Sequence, residues 1–282
     1  MGKKEALQAL GPRLVLPSPP DVVVRINAMI ADRSCGPQEI GRVVGGDPAL
    51  AVRVVSTANS SFYGLQEPVL SAEQAATVIG VRSLRNIAMQ ASIAQRYEHL
   101  EGRDELDVRD LWEHSERCAQ LSQLLGAASR LDLDLAPDEF YTCGLLHDIG
   151  KVALLESLRE EYLDVLREAR SERVPLHHSE QQLLGFTHVD VGALVAARWK
   201  LPPAVALSIA YHHGPTPRIL EYPAVAVVAV ADQLAYRADL VDFEIAGRKL
   251  ADLAEHVLAV TPAAFQRVVE AARGGRQALR AA

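Results

Sequence analysis

The chain has 282 residues, of which 49% are hydrophobic but only 5% aromatic, and its formal net charge is −7. That length holds one large or two modest domains, and an apolar mass made mainly of Ala, Val and Leu suits packed helices better than a β-sandwich. The acidic balance argues against a nucleic-acid binder that relies on bulk positive charge, because phosphate contacts need clustered Lys and Arg.

Residues 1–15 read as a lead-in, followed by Pro17, Pro19 and Pro20. Asp21–Asp32 carries Val23, Val24, Ile26, Ala28 and Ile30 in a helical pattern. Ser34 and Gly36-Pro37 start a second helix, which Gly45-Gly46 ends. Asp47-Pro48 is an N-cap followed by Pro at the first helical position, opening Ala49–Ala58. Asn59-Ser60-Ser61 and Gly64 break that helix, and Ser71 with Gln74 forms a capping box for Ala72–Ile79. Gly80 ends this helix, and Val81–Tyr97 forms another.

Charge rises over Glu98–Asp110, which puts a boundary near residue 100. Further helices are expected at Leu111–Ala128, Glu139–Leu155, Leu158–Arg170, Ser179–Leu184, His188–Trp199, Pro203–Tyr211 and Ala224–Arg237. The resulting division is an N-terminal helical subdomain over 16–100, a second helical subdomain over 101–240, and an Ala-rich helical tail over 241–282. No strand alternation and no repeat of fixed period is visible, so the fold class is all-α.

The three cysteines, Cys35, Cys118 and Cys143, are odd in number and lack a paired short spacing. They read as thiols in a reducing cytoplasm, not as a disulfide framework or zinc knuckle. Met1–Ala6 lacks the apolar core of a signal peptide, and Ala6 breaks a myristoylation match. The most apolar run, Ala224–Ala231, is interrupted by Asp232 and is too short to span a bilayer. The expectation is a cytoplasmic protein with no membrane association.

Among the nine histidines, His114, His147, His178, His188, His212 and His213 sit at helical or helix-end positions among apolar residues. Any one alone reads as a satisfied core imidazole; their coincidence points to a metal. The sharpest feature is Gly144-Leu145-Leu146-His147-Asp148-Ile149-Gly150-Lys151. On a continuous helix Lys151 shares a face with His147, while Asp148 points about 100° away. Burying an imidazole, a carboxylate and an ammonium there is costly unless something compensates. A divalent ion does so, since imidazole and carboxylate are ligands for zinc, manganese or iron, and the Lys is then free to meet a phosphate. The plainer alternative is a helix-end His-Asp hydrogen bond beside a solvated Lys.

His114, His147-Asp148 and Asp232 in this order resemble the H…HD…D pattern of the HD superfamily of metal-dependent phosphohydrolases. Leu16-Pro17 with Pro20, Asp47-Pro48-Ala49-Leu50, Ala58-Asn59-Ser60-Ser61-Phe62-Tyr63-Gly64 and Trp199-Lys200-Leu201-Pro202-Pro203 resemble the HDOD family, bacterial proteins with an HD-related output domain. The resemblance covers about residues 13–240. It implies an N-terminal helical subdomain plus a C-terminal HD-like helical bundle that binds metal.

By this resemblance His114, His147, Asp148 and Asp232 hold one ion. His188, His212 and His213 help to hold a second, with Asp148 bridging. Asp110, one turn before His114, is a weaker addition. One or two divalent ions are implied (Fe, Mn, Zn or Mg), with Asp148 and Lys151 as the catalytic pair.

The family reading is a signalling or regulatory protein with a retained metal site, acting through a signalling-protein partner or a nucleotide ligand. The alternative is a metal-dependent phosphohydrolase or phosphodiesterase on a nucleotide or cyclic dinucleotide, with an oxygenase a distant third. Cyclic di-GMP phosphodiesterases of the HD-GYP type carry Gly-Tyr-Pro after the paired histidines. Here Gly214-Pro215-Thr216-Pro217 stands instead, which weakens that substrate. A helix-turn-helix reading of Pro37–Ala58 is opposed by its charge: Arg42 and Arg53 face Glu39 and Asp47. A homodimer is compatible with all of these.

Overall fold

The expected all-α class holds in the computed structural model, whose described residues are 14, 21–32, 35–59, 65–100, 108–131, 135, 137–237, 244–245 and 248–280. They fall into two compact units, one over 18–103 and one that takes residue 14 together with the residues from 104 onward.

The first unit contains α1 (Asp21–Ala31), α2 (Pro37–Gly45), α3 (Pro48–Ala58) and α4 (Ala72–Leu100). Its helix starts follow their capping residues. Asp47 Oδ1 accepts from Ala49 N at 3.0 Å and Leu50 N at 3.1 Å, satisfying two donors that the first turn leaves open. Ser71 Oγ accepts from Gln74 N at 3.2 Å. The Gln74 side chain returns to Leu70 N at 2.7 Å, one residue before the cap. The backbone of α4 leaves helical geometry at Gly80 (φ 83°), the glycine expected to end a helix. Ile26, Ile40, Val44, Val54, Ala75 and Leu84 form the core of this unit.

The loop after α3 is closed by Asn59, whose Nδ2 donates to Val69 O and whose Oδ1 accepts from Val69 N, both at 2.8 Å. Residues 60–64 and the Leu16–Pro20 stretch lie outside the described residues. Asn59→Ala removes both bonds and leaves the Val69 peptide partly buried without them. A loss of about 1 kcal/mol is expected in a urea melt, and unchanged stability would mean that the clamp is idle.

The second unit contains α5 (Val108–Ala128), α6 (Pro137–Leu146), α7 (Ile149–Ser157), α8 (Arg159–Glu172) and α9 (Leu176–Leu183). It continues with α10 (His188–Trp199), α11 (Pro203–Tyr211), α12 (Thr216–Glu221) and α13 (Pro223–Arg237). A two-residue antiparallel hairpin, Glu244–Ile245 with Arg248–Lys249, departs from the strand-free expectation. After it come α14 (Leu250–Asp252), a π-helical turn at Leu253–Val257, and α15 (Pro262–Arg280).

The centre of this unit is α13, which packs against α5, α6, α11 and α12. Val225, Val227, Val228 and Val230 on it are fully buried. A helix apolar on every side has no solvent face, which accounts for the run that precedes Asp232. Among the described residues no helix is long and apolar enough to cross a membrane. Cys118 and Cys143 are buried free thiols, and Cys35 is partly exposed.

One local expectation is corrected. Glu139–Leu155 is not continuous: α6 stops at Leu146, and α7 begins at Ile149. Asp148 caps α7 with φ −100° and ψ 13°, and its carbonyl accepts from Lys151 N at 2.9 Å. The break turns His147 and Asp148 away from a regular helical face. The 139–155 run is apolar and proline-free, and Gly144 and Gly150 within it do not by themselves place the kink.

Candidate metal centre

Five separate segments bring the chemistry together. His114 comes from α5, His147 and Asp148 from the α6–α7 break, His188 from the first position of α10, His212 and His213 from the end of α11, and Asp232 from α13. The start of α10 is pinned by Asp190, whose Oδ2 accepts from Thr187 N at 3.0 Å and Thr187 Oγ1 at 3.1 Å. His114, His147, Asp148, His188, His212 and Asp232 are buried, and His213 is partly exposed.

The side chains form two groups, within each of which the ligand atoms lie within 4.8 Å of one another. The first is His114, His147 and Asp232. His114 Nε2 lies 3.0 Å from Asp232 Oδ1 and 3.4 Å from His147 Nε2. The second is Asp148, His188, His212 and His213. Asp148 joins the two: its Oδ2 is 3.3 Å from His147 Nε2, and its Oδ1 is 3.3 Å from His188 Nε2 and 3.6 Å from His212 Nε2. A carboxylate with one oxygen toward each group has the form of a bridging ligand.

The far nitrogen of several rings is anchored. His147 Nδ1 lies 2.6 Å from Gly144 O, and His212 Nδ1 lies 3.0 Å from Ser208 O. Those carbonyls accept, so each ring carries its proton on Nδ1 and turns an Nε2 lone pair inward. His188 Nδ1 lies 2.7 Å from Glu180 Oε2. Yet Asp148 Oδ1, His188 Nε2 and His212 Nε2, all buried, make no hydrogen bond. Buried polar atoms are nearly always partnered, and three converging orphans fit an ion between them.

The electrostatics suit a cation. Burial pushes the His114 and His212 imidazoles down, against the pull of Asp232 and Asp148 respectively, and burial with His212 pushes His213 well down. Burial alone raises a carboxyl; beside His147 and Lys151, Asp148 is nonetheless held well below the usual carboxylate range. Asp232 is held there by His114 and His147. Burial lowers His147, but Asp148 outweighs it and keeps that imidazole raised.

Lys151 is buried, not solvated, and its Nζ donates to Asp148 Oδ2. Burial works against its charge, and the Asp148 carboxylate overrides it and holds the ammonium protonated. Its partner is therefore Asp148 and not the face of His147. His178 is exposed and outside both groups, and the Asp110 side chain lies outside the described residues. Glu180, Tyr162, His177 and Tyr236 were not singled out from the sequence. Tyr236 stacks on His114 with ring centroids 4.0 Å apart, and His177 stacks on His213 at 4.5 Å. The i, i+4 spacing of Asp232 and Tyr236 on α13 was the available signal for the former.

Residues 16–215 match the HDOD domain family. An uncharacterized protein of Treponema pallidum (strain Nichols) is 28% identical over 219 residues, 77% of this chain. The chain spans about two fifths of that relative's length, 41%. An HDOD domain protein of unknown function from Geobacter sulfurreducens has a TM-score of 0.76 at 25% identity, covering 99% of this chain and 96% of that one. A Shewanella amazonensis SB2B protein, provisionally described as a metal-dependent phosphohydrolase, has a TM-score of 0.66 at 20% identity, with 97% of each chain covered. At that identity the likeness extends to the fold.

Proposed function

The chain belongs to the HDOD domain family, and from that premise we propose that its cluster holds two divalent ions and hydrolyses a phosphoester of a nucleotide-class ligand. The observation that carries this reading is Asp148, with its two oxygens directed to different groups of ligands and three unpartnered buried atoms converging there.

His114, His147, Asp232 and Asp148 Oδ2 hold the first ion; His188, His212, His213 and Asp148 Oδ1 hold the second. Bound there, divalent ions supply Lewis acidity toward a phosphoryl group and acidify water. The nitrogen-rich second group suits iron, manganese or zinc better than magnesium, which prefers oxygen ligands and retained waters. Lys151 fixes the Asp148 carboxylate and places a buried ammonium beside the cluster, the charge an incoming phosphate meets. Tyr236 stacks on His114 at the first group.

A second reading is a regulatory module in which the same centre senses a ligand. Its support is the family assignment and, in the unit over 18–103, three exposed apolar side chains, Val52, Leu70 and Val78 at 70%, 81% and 55%.

Elemental analysis of the purified protein, followed by turnover of bis-p-nitrophenyl phosphate and cyclic dinucleotides after iron or manganese reconstitution, tests both. Two ions per chain and turnover are expected. Near-zero occupancy that is indifferent to His147→Ala sinks the metal reading. Two ions without turnover leave the regulatory one.

A further inference from the structure

Glu180 stands outside both ligand groups, yet it is the most completely engaged carboxylate near them. It sits in α9 with no solvent exposure. Its Oε2 accepts from His188 N at 2.9 Å and lies 2.7 Å from His188 Nδ1. Its Oε1 accepts from Tyr162 OH at 2.7 Å. Tyr162 on α8 is itself fully buried, and burial together with the Glu180 charge keeps its phenol protonated as a donor. Two donors, His188 N and Tyr162 OH, thus converge on its oxygens, with His188 Nδ1 at hydrogen-bond distance from the first.

A buried carboxylate of this kind needs a purpose beyond packing, because a buried ion pair rarely adds net stability over apolar residues of the same volume. The two ligand groups differ in charge. The first contains its own carboxylate, Asp232, beside the shared Asp148. The second contains three imidazoles and only the shared carboxylate. His147 and His212 rest on neutral backbone carbonyls, whereas His188 rests on Glu180.

We infer that Glu180 is the positioning residue for the second ion: it fixes His188 as the Nδ1–H tautomer and supplies the negative charge that this nitrogen-rich group lacks. The inference rests on the two-ion reading above and deepens it. The path is Tyr162 OH to Glu180, Glu180 to His188 Nδ1–H, and His188 Nε2 toward Asp148 Oδ1. A carboxylate behind a ligating imidazole raises its basicity and locks its ring plane.

The test is a two-site Mn²⁺ titration of the full chain by calorimetry, with His188→Ala and His114→Ala identifying which ion is which. Glu180→Gln preserves shape and removes charge. It is expected to weaken the ion lost in His188→Ala by about 10- to 100-fold and to leave the ion lost in His114→Ala within about threefold. If the wild-type chain takes up fewer than two ions, the two-ion reading fails. If it takes up two and Glu180→Gln binds both as tightly, the role of Glu180 alone fails. A measurement needing no variant guards against misfolding: ¹⁵N spectra of the metal-free wild-type protein at alkaline pH should show His188 protonated on Nδ1. Protonation on Nε2 overturns the inference.

Discussion

Asp148→Ala is expected to destabilise the metal-free protein by about 3–5 kcal/mol and to abolish uptake of both ions. Lys151 is buried, with Asp148 Oδ2 as its ion-pair partner. Removing the carboxylate strands an ammonium in an apolar helix, and an uncompensated buried charge costs far more than a lost surface contact. His147 loses the carboxylate that favours its protonated form, which adds to the loss. The same deletion removes an oxygen from each ligand group, so neither ion keeps its set.

The two effects are separable. Asp148→Ala with Lys151→Met replaces the stranded charge with an apolar chain of similar length, and most of the stability should return while both ions stay absent. Urea melts and metal counts on the wild type, the single variant and the double variant distinguish these terms. A single variant within about 1 kcal/mol of wild type would show that Lys151 reaches solvent on its own. One ion retained at wild-type affinity would show that Asp148 does not bridge.

The residues of the cluster were legible in the sequence because histidine and aspartate are conspicuous inside apolar helices. Asp232 interrupts a run of buried valines, and that interruption, which also counts against a bilayer span, places its carboxylate 3.0 Å from His114 Nε2. Helix starts at Asp47 and Ser71 were legible because the cap is local chemistry: a side-chain oxygen and an amide a few residues on. The break at His147-Asp148 was not legible. Glu139–Leu155 holds no proline, and its glycines, Gly144 and Gly150, flank the break without marking its place. Glu180 was illegible for a related reason. An acidic residue in a short polar helix reads as solvated, and only the meeting of α8, α9 and α10 buries it against Tyr162 and His188. Sequence patterns thus name the donors of the site; tertiary contacts decide their orientation and their charge balance.

That dependence on orientation makes Gly150 the most sensitive position that bears no ligand. A Cβ built there would stand 1.9 Å from His188 O, 2.7 Å from Gly192 N and 2.8 Å from the His188 carbonyl carbon. All three are backbone atoms, so no side chain can rotate away; α7 and α10 have to separate. Because His188 is the first residue of α10, its ring moves with that backbone, and the 3.3 Å approach of its Nε2 to Asp148 Oδ1 opens. Gly150→Ala is therefore expected to cost about 3 kcal/mol or more in a urea melt, at the upper end for an overpacked core. It should also weaken the second ion more than the first, since His114 and Asp232 lie on α5 and α13, away from this crossing, while Asp148 at the head of α7 serves both groups. Gly192→Ala is the control on the same crossing. Its Cβ meets Ile209 Cγ2 at 2.6 Å, a methyl on a buried β-branched side chain that has to shift, with backbone atoms of Gly150 no nearer than 3.5 Å. Its cost should be smaller, and its effect on the second ion slight. Equal losses in the two variants would mean that the helix crossing as a whole, and not the placement of His188, is what Gly150 protects.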